Sequence, residues 1–292
     1  MINAMNFADR MAALARAKQS VLTLGIDPQL DSAKAPGVAP SYSLARFCCE
    51  IIEACADQVV AVKFQLAFFE ARGIDGMRAL AEAIALSHRL GLPTVADGKR
   101  GDIGSTSAAY AEAFLSGGDF ACDAMTVNPY LGADAIAPFL EYVERGRGLF
   151  VLVKTSNPSS GDFQDLAAPE RPLWETVAAR VKEWGEKFVG QAGFSSVGAV
   201  VGATYPAHAE RARKLMPRAL ILVPGYGAQG ASAGDALAAA SSGQAPGVLV
   251  NASRAIMYAY RGRLGEKPPE AARRAAQEMR AELARALVAR HG

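Results

Sequence analysis

The chain has 292 residues, 51% of them hydrophobic, and 31 basic residues stand against 29 acidic ones for a formal net charge of +2. That balance provides no overall electrostatic drive toward nucleic acid or an anionic membrane, so neither is expected as a partner. The length admits one domain spanning 1–292, since an α/β barrel takes about 250 residues, and the 28 Gly and 15 Pro are spread along the chain rather than pooled in a linker.

Taken in order, the chain opens on a helical candidate, Phe7 to Ala17. The charges of Asp9, Arg10, Arg16 and Lys18 break any apolar run there, and no membrane span is expected. A pattern then repeats: a short β-branched run, a polar or Gly-rich turn, and a longer segment of helical period. The runs are Val21 to Asp27, Val59 to Gln65, Pro93 to Lys99, Ala121 to Asn128, Gly148 to Thr155, Val197 to Thr204, Ala219 to Tyr226 and Pro246 to Ser253. Helices are predicted over Tyr42 to Asp57, Gly76 to Leu90, Thr106 to Leu115, Ala133 to Glu144, Leu173 to Gln191, Ala207 to Leu215, Ser232 to Ser241, and from Pro269 onward. In the first of these, Leu44, Phe47, Cys48, Ile51, Ile52 and Cys55 form one apolar stripe. Runs of Val, Ile and Leu without polar alternation suit parallel strands covered on both faces. Eight alternating βα units predict an α/β fold, a (β/α)8 TIM barrel with an extra N-terminal helix over its bottom; an open doubly wound sheet is the other arrangement considered.

Cys48, Cys49, Cys55 and Cys122 make no C-x-x-C pair, which fits free thiols in a reducing cytoplasm. His88, His208 and His291 are scattered, so no metal site is expected. The longest turn, Ser156 to Pro172, reads either as a flap over an active site or as a tolerated insertion.

Chemistry in such a barrel belongs at the carboxyl ends of the strands, and unusual polar residues collect there: Asp27, Lys63, Gln65, Asp97, Lys99, Asn128, Thr155 and Ser156. If the third strand continues to Lys99, Asp97 and Lys99 point the same way, with Asp102 just beyond on a Gly-loosened turn. Alone, Asp97-x-Lys99-x-x-Asp102 reads more readily as a surface ion pair beside a turn. Lys63 adds weight, because an ammonium on a barrel strand is costly unless a carboxylate meets it. After the seventh strand, Pro224-Gly225-Tyr226-Gly227-Ala228-Gln229-Gly230 lets backbone N–H groups approach an anion. Asn251-Ala252-Ser253-Arg254 closes the eighth, and loops seven and eight are the usual phosphate corner of a TIM barrel.

Together, Asp97-x-Lys99-x-x-Asp102-Ile103, Lys63 one strand earlier, Ser156-Asn157-Pro158, Pro224-Gly225-x-Gly227-Ala228-Gln229-Gly230 and Arg254 resemble the orotidine 5'-phosphate decarboxylases, in their longer branch, from about Thr23 to Tyr258. The resemblance implies a cofactor-independent decarboxylation of orotidine 5'-phosphate to uridine 5'-phosphate in pyrimidine biosynthesis. It also implies a homodimer with shared active sites. Asp27 would hold a ribose hydroxyl and Lys63 would link ribose to the charged array of Asp97, Lys99 and Asp102. Lys99 would stabilise charge and donate a proton. Asp102 and Thr106 would come from the partner subunit, Ser156 would contact the pyrimidine, and Gln229 would bridge base and phosphate. The glycine loop, with Pro224, Gly225 and Gly227, would bind phosphate together with Ser253 and Arg254. The alternatives are a metal-dependent sugar-phosphate decarboxylase of the same superfamily, in which a carboxylate stands where this chain has Lys63, and a phosphate-binding barrel without catalysis.

Overall fold

Eight β-branched runs pair as parallel strands that close on themselves in the computed structural model, which describes residues 5–29, 43–227, 230–241, 246–263 and 265–291. The barrel strands are β1 (Leu22–Ile26), β2 (Ala61–Gln65), β3 (Thr94–Arg100), β4 (Ala124–Val127), β5 (Gly148–Lys154), β6 (Ser195–Val201), β7 (Ala219–Val223) and β8 (Val248–Ala252). Each pairs with its neighbours in sequence, and β1 pairs with both β2 and β8, so the open-sheet arrangement is excluded. Helices pack outside, among them α1 (Phe7–Lys18), α2 (Leu44–Cys55), α3 (Gly73–Arg89), α4 (Gly104–Leu115), α5 (Ala133–Glu144), α6 (Leu173–Gly185), α7 (Pro206–Leu215) and α8 (Pro268–His291). No helix among the described residues is long and apolar enough to cross a membrane.

Two apolar clusters hold the barrel. The larger joins the outward strand faces to the helices, including the predicted stripe of α2, where Phe47, Cys48, Ile51, Ile52 and Cys55 are buried. The smaller fills the barrel's lower end, where Phe7, Met11 and Ala12 of α1 meet Val60, Val95, Ala124, Phe150 and Leu249. Helix α1 therefore plugs the bottom, the place expected for a helix that precedes the first strand. Asn6 caps it by accepting from Ala8 N at 2.9 Å, and the Phe7 ring lies edge-on to Phe150. Gly148 makes room for that ring, since a Cβ there would sit 2.4 Å from Phe7 Cδ1.

The structure corrects two predicted elements. Within Ser232 to Ser241 only Ala233–Ala236 is helical, started by a Ser232–Asp235 capping box. The following carbonyls are taken by side chains from elsewhere: Arg213 Nε donates to Ala239 O and Arg290 Nη2 to Ala238 O, both at 2.8 Å. Tertiary hydrogen bonds thus override helix propensity in an alanine-rich stretch. The segment from Ser156 to Pro172 is not irregular: a 3-10 turn at Pro158–Ser160, a helical turn at Gly161–Gln164, and a two-residue hairpin pairing Ala167 with Pro172.

Candidate active site

Asp97 is the hub. Its Oδ1 accepts from Lys99 Nζ at 2.6 Å and from Thr126 Oγ1 at 2.9 Å, while its Oδ2 accepts from Lys63 Nζ at 2.7 Å and Gln65 Nε2 at 3.3 Å. Lys63 Nζ also lies 3.9 Å from Asp27 Oδ1. Lys63 is 3% exposed and so does not snorkel to solvent. Strand β3 reaches Arg100, but its register with β4 shifts between Ala96 and Arg100, and Lys99 sits in the left-handed region at φ 48°. Lys99 N donates to Thr126 Oγ1, so the same threonine holds the twisted backbone and the carboxylate. Plain strand alternation predicts that Asp97 and Lys99 meet; in the structure they meet through a bulge.

The charges set the protonation states of the hub. Burial by itself would raise the Asp97 carboxyl, but the Lys63 and Lys99 ammoniums outweigh it and hold Asp97 well below the usual carboxylate range. Burial by itself would lower Lys63; Asp97 and then Asp27 outweigh it and raise its pKa. Asp97 therefore contributes stability that is present above the unfolded carboxylate pKa of about 3.9 and is lost as pH falls through its lower folded value. Lys63 contributes stability that is present below about 10.4 and is lost as pH rises through its higher folded value. Asp97→Asn should cost about 3–5 kcal/mol at pH 7, because Lys63 keeps a buried charge without its main partner. Its stability should also fall less steeply than the wild type's between pH 4 and pH 2. Denaturant unfolding at pH 7 and pH 3 checks both; equal stability at pH 7 would show that the buried pair contributes nothing.

Across the barrel mouth from the hub, Pro224, Gly225 and Tyr226 beyond β7 line the same cavity as Asp27, Lys63, Gln65, Asp97, Lys99, Thr126, Asn251, Ser253 and Arg254. Gly225 has φ 100°, open to glycine and strained for other residues. Gly25 on β1 lets the eighth loop approach, since a Cβ there would lie 1.9 Å from Ser253 Oγ. The Asp27 Oδ1 and Asn251 Oδ1 atoms are buried without a hydrogen-bond partner. Two unfilled acceptors in a cavity that also carries cations match a ligand with hydroxyl or N–H groups and an anionic end.

Not every predicted residue reaches this cavity within one chain. Asp102 turns back on its own loop, its Oδ1 accepting from Ile103 N at 2.7 Å, and Thr106 is exposed on α4. Ser156 packs its backbone at the end of β6, where a Cβ on Gly202 would sit 2.7 Å from Ser156 Cβ. Gly227, at φ 79°, lies against Met279 of α8 and is not among the lining residues. Gln229 lies outside the described residues.

A family model, orotidine 5'-phosphate decarboxylase / HUMPS family, matches residues 20–274. The chain belongs to this family. It is 44% identical over 283 residues to an orotidine 5'-phosphate decarboxylase of Deinococcus radiodurans, covering 96% of this chain and 98% of that one. It is 43% identical over 274 residues to one of Rhodopirellula baltica, covering 88% and 90%. Among solved structures, OMP decarboxylase of Leishmania donovani superposes with a TM-score of 0.77 at 32% identity, over 97% of this chain and 99% of that one.

Thr126 and Asn251 line the same cavity although no motif in the sequence marks them, and Gln65, legible only as a strand-end polar residue, bonds Asp97. The available signal was positional. Thr126 sits on β4, one strand over from Asp97, and a hydroxyl buried in a Val/Met run needs a partner. Tyr226, the last residue of the seventh predicted run and part of the glycine motif after it, lines the cavity, while its hydroxyl donates to Glu282 Oε2 of α8 at 2.7 Å.

Proposed function

We propose that this orotidine 5'-phosphate decarboxylase family member converts orotidine 5'-phosphate to uridine 5'-phosphate, the pyrimidine nucleotide, at the Asp97 hub and without a cofactor. The C6–carboxylate bond breaks, its electron pair stays on C6, carbon dioxide leaves, and the Lys99 ammonium passes a proton to C6. The pair lies in the ring plane, where no adjacent π-system takes it up, so the charge has to be met electrostatically. The observation that carries this reading is the Lys63–Asp97–Lys99 triplet, which fixes an ammonium by its bonds to Asp97 before substrate arrives.

A unit charge about 4 Å away contributes about 4 kcal/mol at an effective dielectric of about 20, whereas enzymatic rate enhancements require roughly 8–23 kcal/mol. The remainder comes from preorganisation of the array and from binding energy at ribose and phosphate. Asp27 and Lys63 take the ribose hydroxyls. Ser253, Arg254, Pro224, Gly225 and Gly227 take the phosphate end, Gln229 bridges base and phosphate, and Ser156 takes the pyrimidine. Lys63 on Asp97 Oδ2 also argues against the sugar-phosphate alternative, because an ammonium there repels a divalent cation.

In our reading the chain is one barrel domain over 1–292 and works in the cytoplasm as a homodimer, with Asp102 and Thr106 completing the neighbour's site. The free thiols Cys48, Cys55 and Cys122, all buried, suit a reducing compartment. Ile103, Tyr130 and Leu131, 60%, 83% and 45% exposed at the adjacent exits of β3 and β4, supply apolar surface beside Asp102 for a second copy to cover.

The test is loss of the orotidine 5'-phosphate pyrimidine absorbance in buffer containing a chelator; no loss would overturn the assignment. Arg254→Ala should lower kcat/KM by about 10²-fold or more and kcat by less, with partial recovery on adding guanidinium, since a bidentate charge-assisted contact is lost. An unchanged kcat/KM would place the phosphate elsewhere.

A further inference from the structure

Lys154, the last residue of β5, is 2% exposed, yet the chemistry described above does not use it. Its Nζ donates to Asp165 Oδ1 at 2.7 Å. Beside it, Gln164 makes a second tie: its Oε1 accepts from Thr155 N at 3.0 Å and its Nε2 donates to Thr155 Oγ1 at 2.7 Å. Residues 154–155 and 164–165 thus close the intervening loop into a ring held by three side-chain hydrogen bonds. Ser156 is the first residue inside that ring. On its other side the ring is pinned to the barrel, because Gly202 N donates to Lys154 O at 2.9 Å and Gly202 leaves no room for a side chain against Ser156.

A buried ammonium is a poor way to gain stability, since an apolar residue of similar volume does as well or better. A paired charge does select one geometry, because the loop can shift only by leaving that charge unpaired. We propose that the Lys154–Asp165 pair, with Gln164, is a positioning latch that sets Ser156 for recognition of the pyrimidine ring. The proposal rests on the nucleotide reading of the site and adds to it the residues that hold its base-recognising loop. Lys154 is a positioning residue and touches no substrate.

Calorimetric binding of uridine 5'-phosphate and of ribose 5-phosphate, which lacks the base, separates this role from a general structural one. Lys154→Met and Asp165→Asn should each weaken uridine 5'-phosphate about tenfold, the equivalent of one hydrogen bond, while ribose 5-phosphate binding changes less than about twofold. Lys154→Arg should restore most of the loss. In a Ser156→Ala background, Lys154→Met should add little, because both changes remove the same contact. Equal weakening of both ligands, no weakening, or a full additional loss in the Ser156→Ala background would overturn the latch. Should Lys154→Met fail to fold, Gln164→Ala, which strands no buried charge, carries the same comparison. A wild type that binds ribose 5-phosphate as tightly as uridine 5'-phosphate would instead count against the nucleotide reading itself.

Discussion

Lys99→Ala is expected to lower the decarboxylation rate by about 10⁴-fold or more, the combined scale of a lost proton donor and a lost electrostatic contact in a preorganised site. Uridine 5'-phosphate should still bind measurably, because Asp27, Asn251, Ser253 and Arg254 line the cavity on other strands and loops. The fold should survive, since Asp97 keeps Lys63, Thr126 and Gln65 after Lys99 is gone. Single-turnover kinetics and calorimetry on the same preparation check the two halves together. Retention of a tenth of the wild-type turnover would show that Lys99 is not the proton donor. Loss of binding in parallel with activity would instead point to collapse of the hub.

Mixing two inactive variants should return activity. Lys63→Ala and Asp102→Ala are each expected to be nearly inactive alone, the first by disturbing the hub and the second, in the proposed shared-site dimer, by removing a carboxylate from the neighbour's site. In a mixed dimer one site collects both lesions and the other has none. Random reassembly of equal amounts makes half the dimers mixed, so about a quarter of wild-type activity should reappear. Within one chain Asp102 bonds its own loop and does not reach Lys63, Asp97 or Lys99, which is the arrangement a donated residue requires. If Asp102 acted in its own subunit, every site in the mixture would still carry a lesion. No recovery after verified subunit exchange would therefore remove the shared-site proposal and leave the decarboxylase chemistry standing.

The two experiments probe different layers of one design. The hub is a buried cluster in which a single carboxylate satisfies two ammoniums, so its geometry is held by charge as much as by packing. The latch at Lys154, on the next-but-one strand from Asp97, pairs one buried lysine with one carboxylate, the half-exposed Asp165, and that lysine too would be costly unpaired. All three lysines lie at or past the midpoint of their strands, toward the carboxyl ends, where the barrel's apolar filling gives way to the site.

What the sequence alone determined is whatever depends on period and on residue type. Eight β-branched runs separated by helical stripes could bury their surface only as parallel strands covered by helices, and the count made closure the natural outcome. The residues at the strand ends, Asp27, Lys63, Asp97, Lys99 and Arg254, were legible because charges at the ends of apolar runs have few reasons to be there. The extra helix before the first strand was legible as well, and the barrel bottom is what it covers.

Tertiary structure decided what depends on partners distant in sequence. Asp97 and Lys99 meet because Thr126, on another strand, holds the bulge that turns Lys99 to φ 48°, and no spacing rule contains that bond. The alanine-rich stretch after Ala236 leaves the helix because Arg213 and Arg290 take its carbonyls. The segment after β5 is ordered by Lys154, Thr155, Gln164 and Asp165, whose side chains bond across an intervening Ser-rich stretch that locally reads as loop. In each case a hydrogen bond to a buried polar group outweighed the local preference. Those partners meet only once the barrel has assembled and has buried one side of each bond.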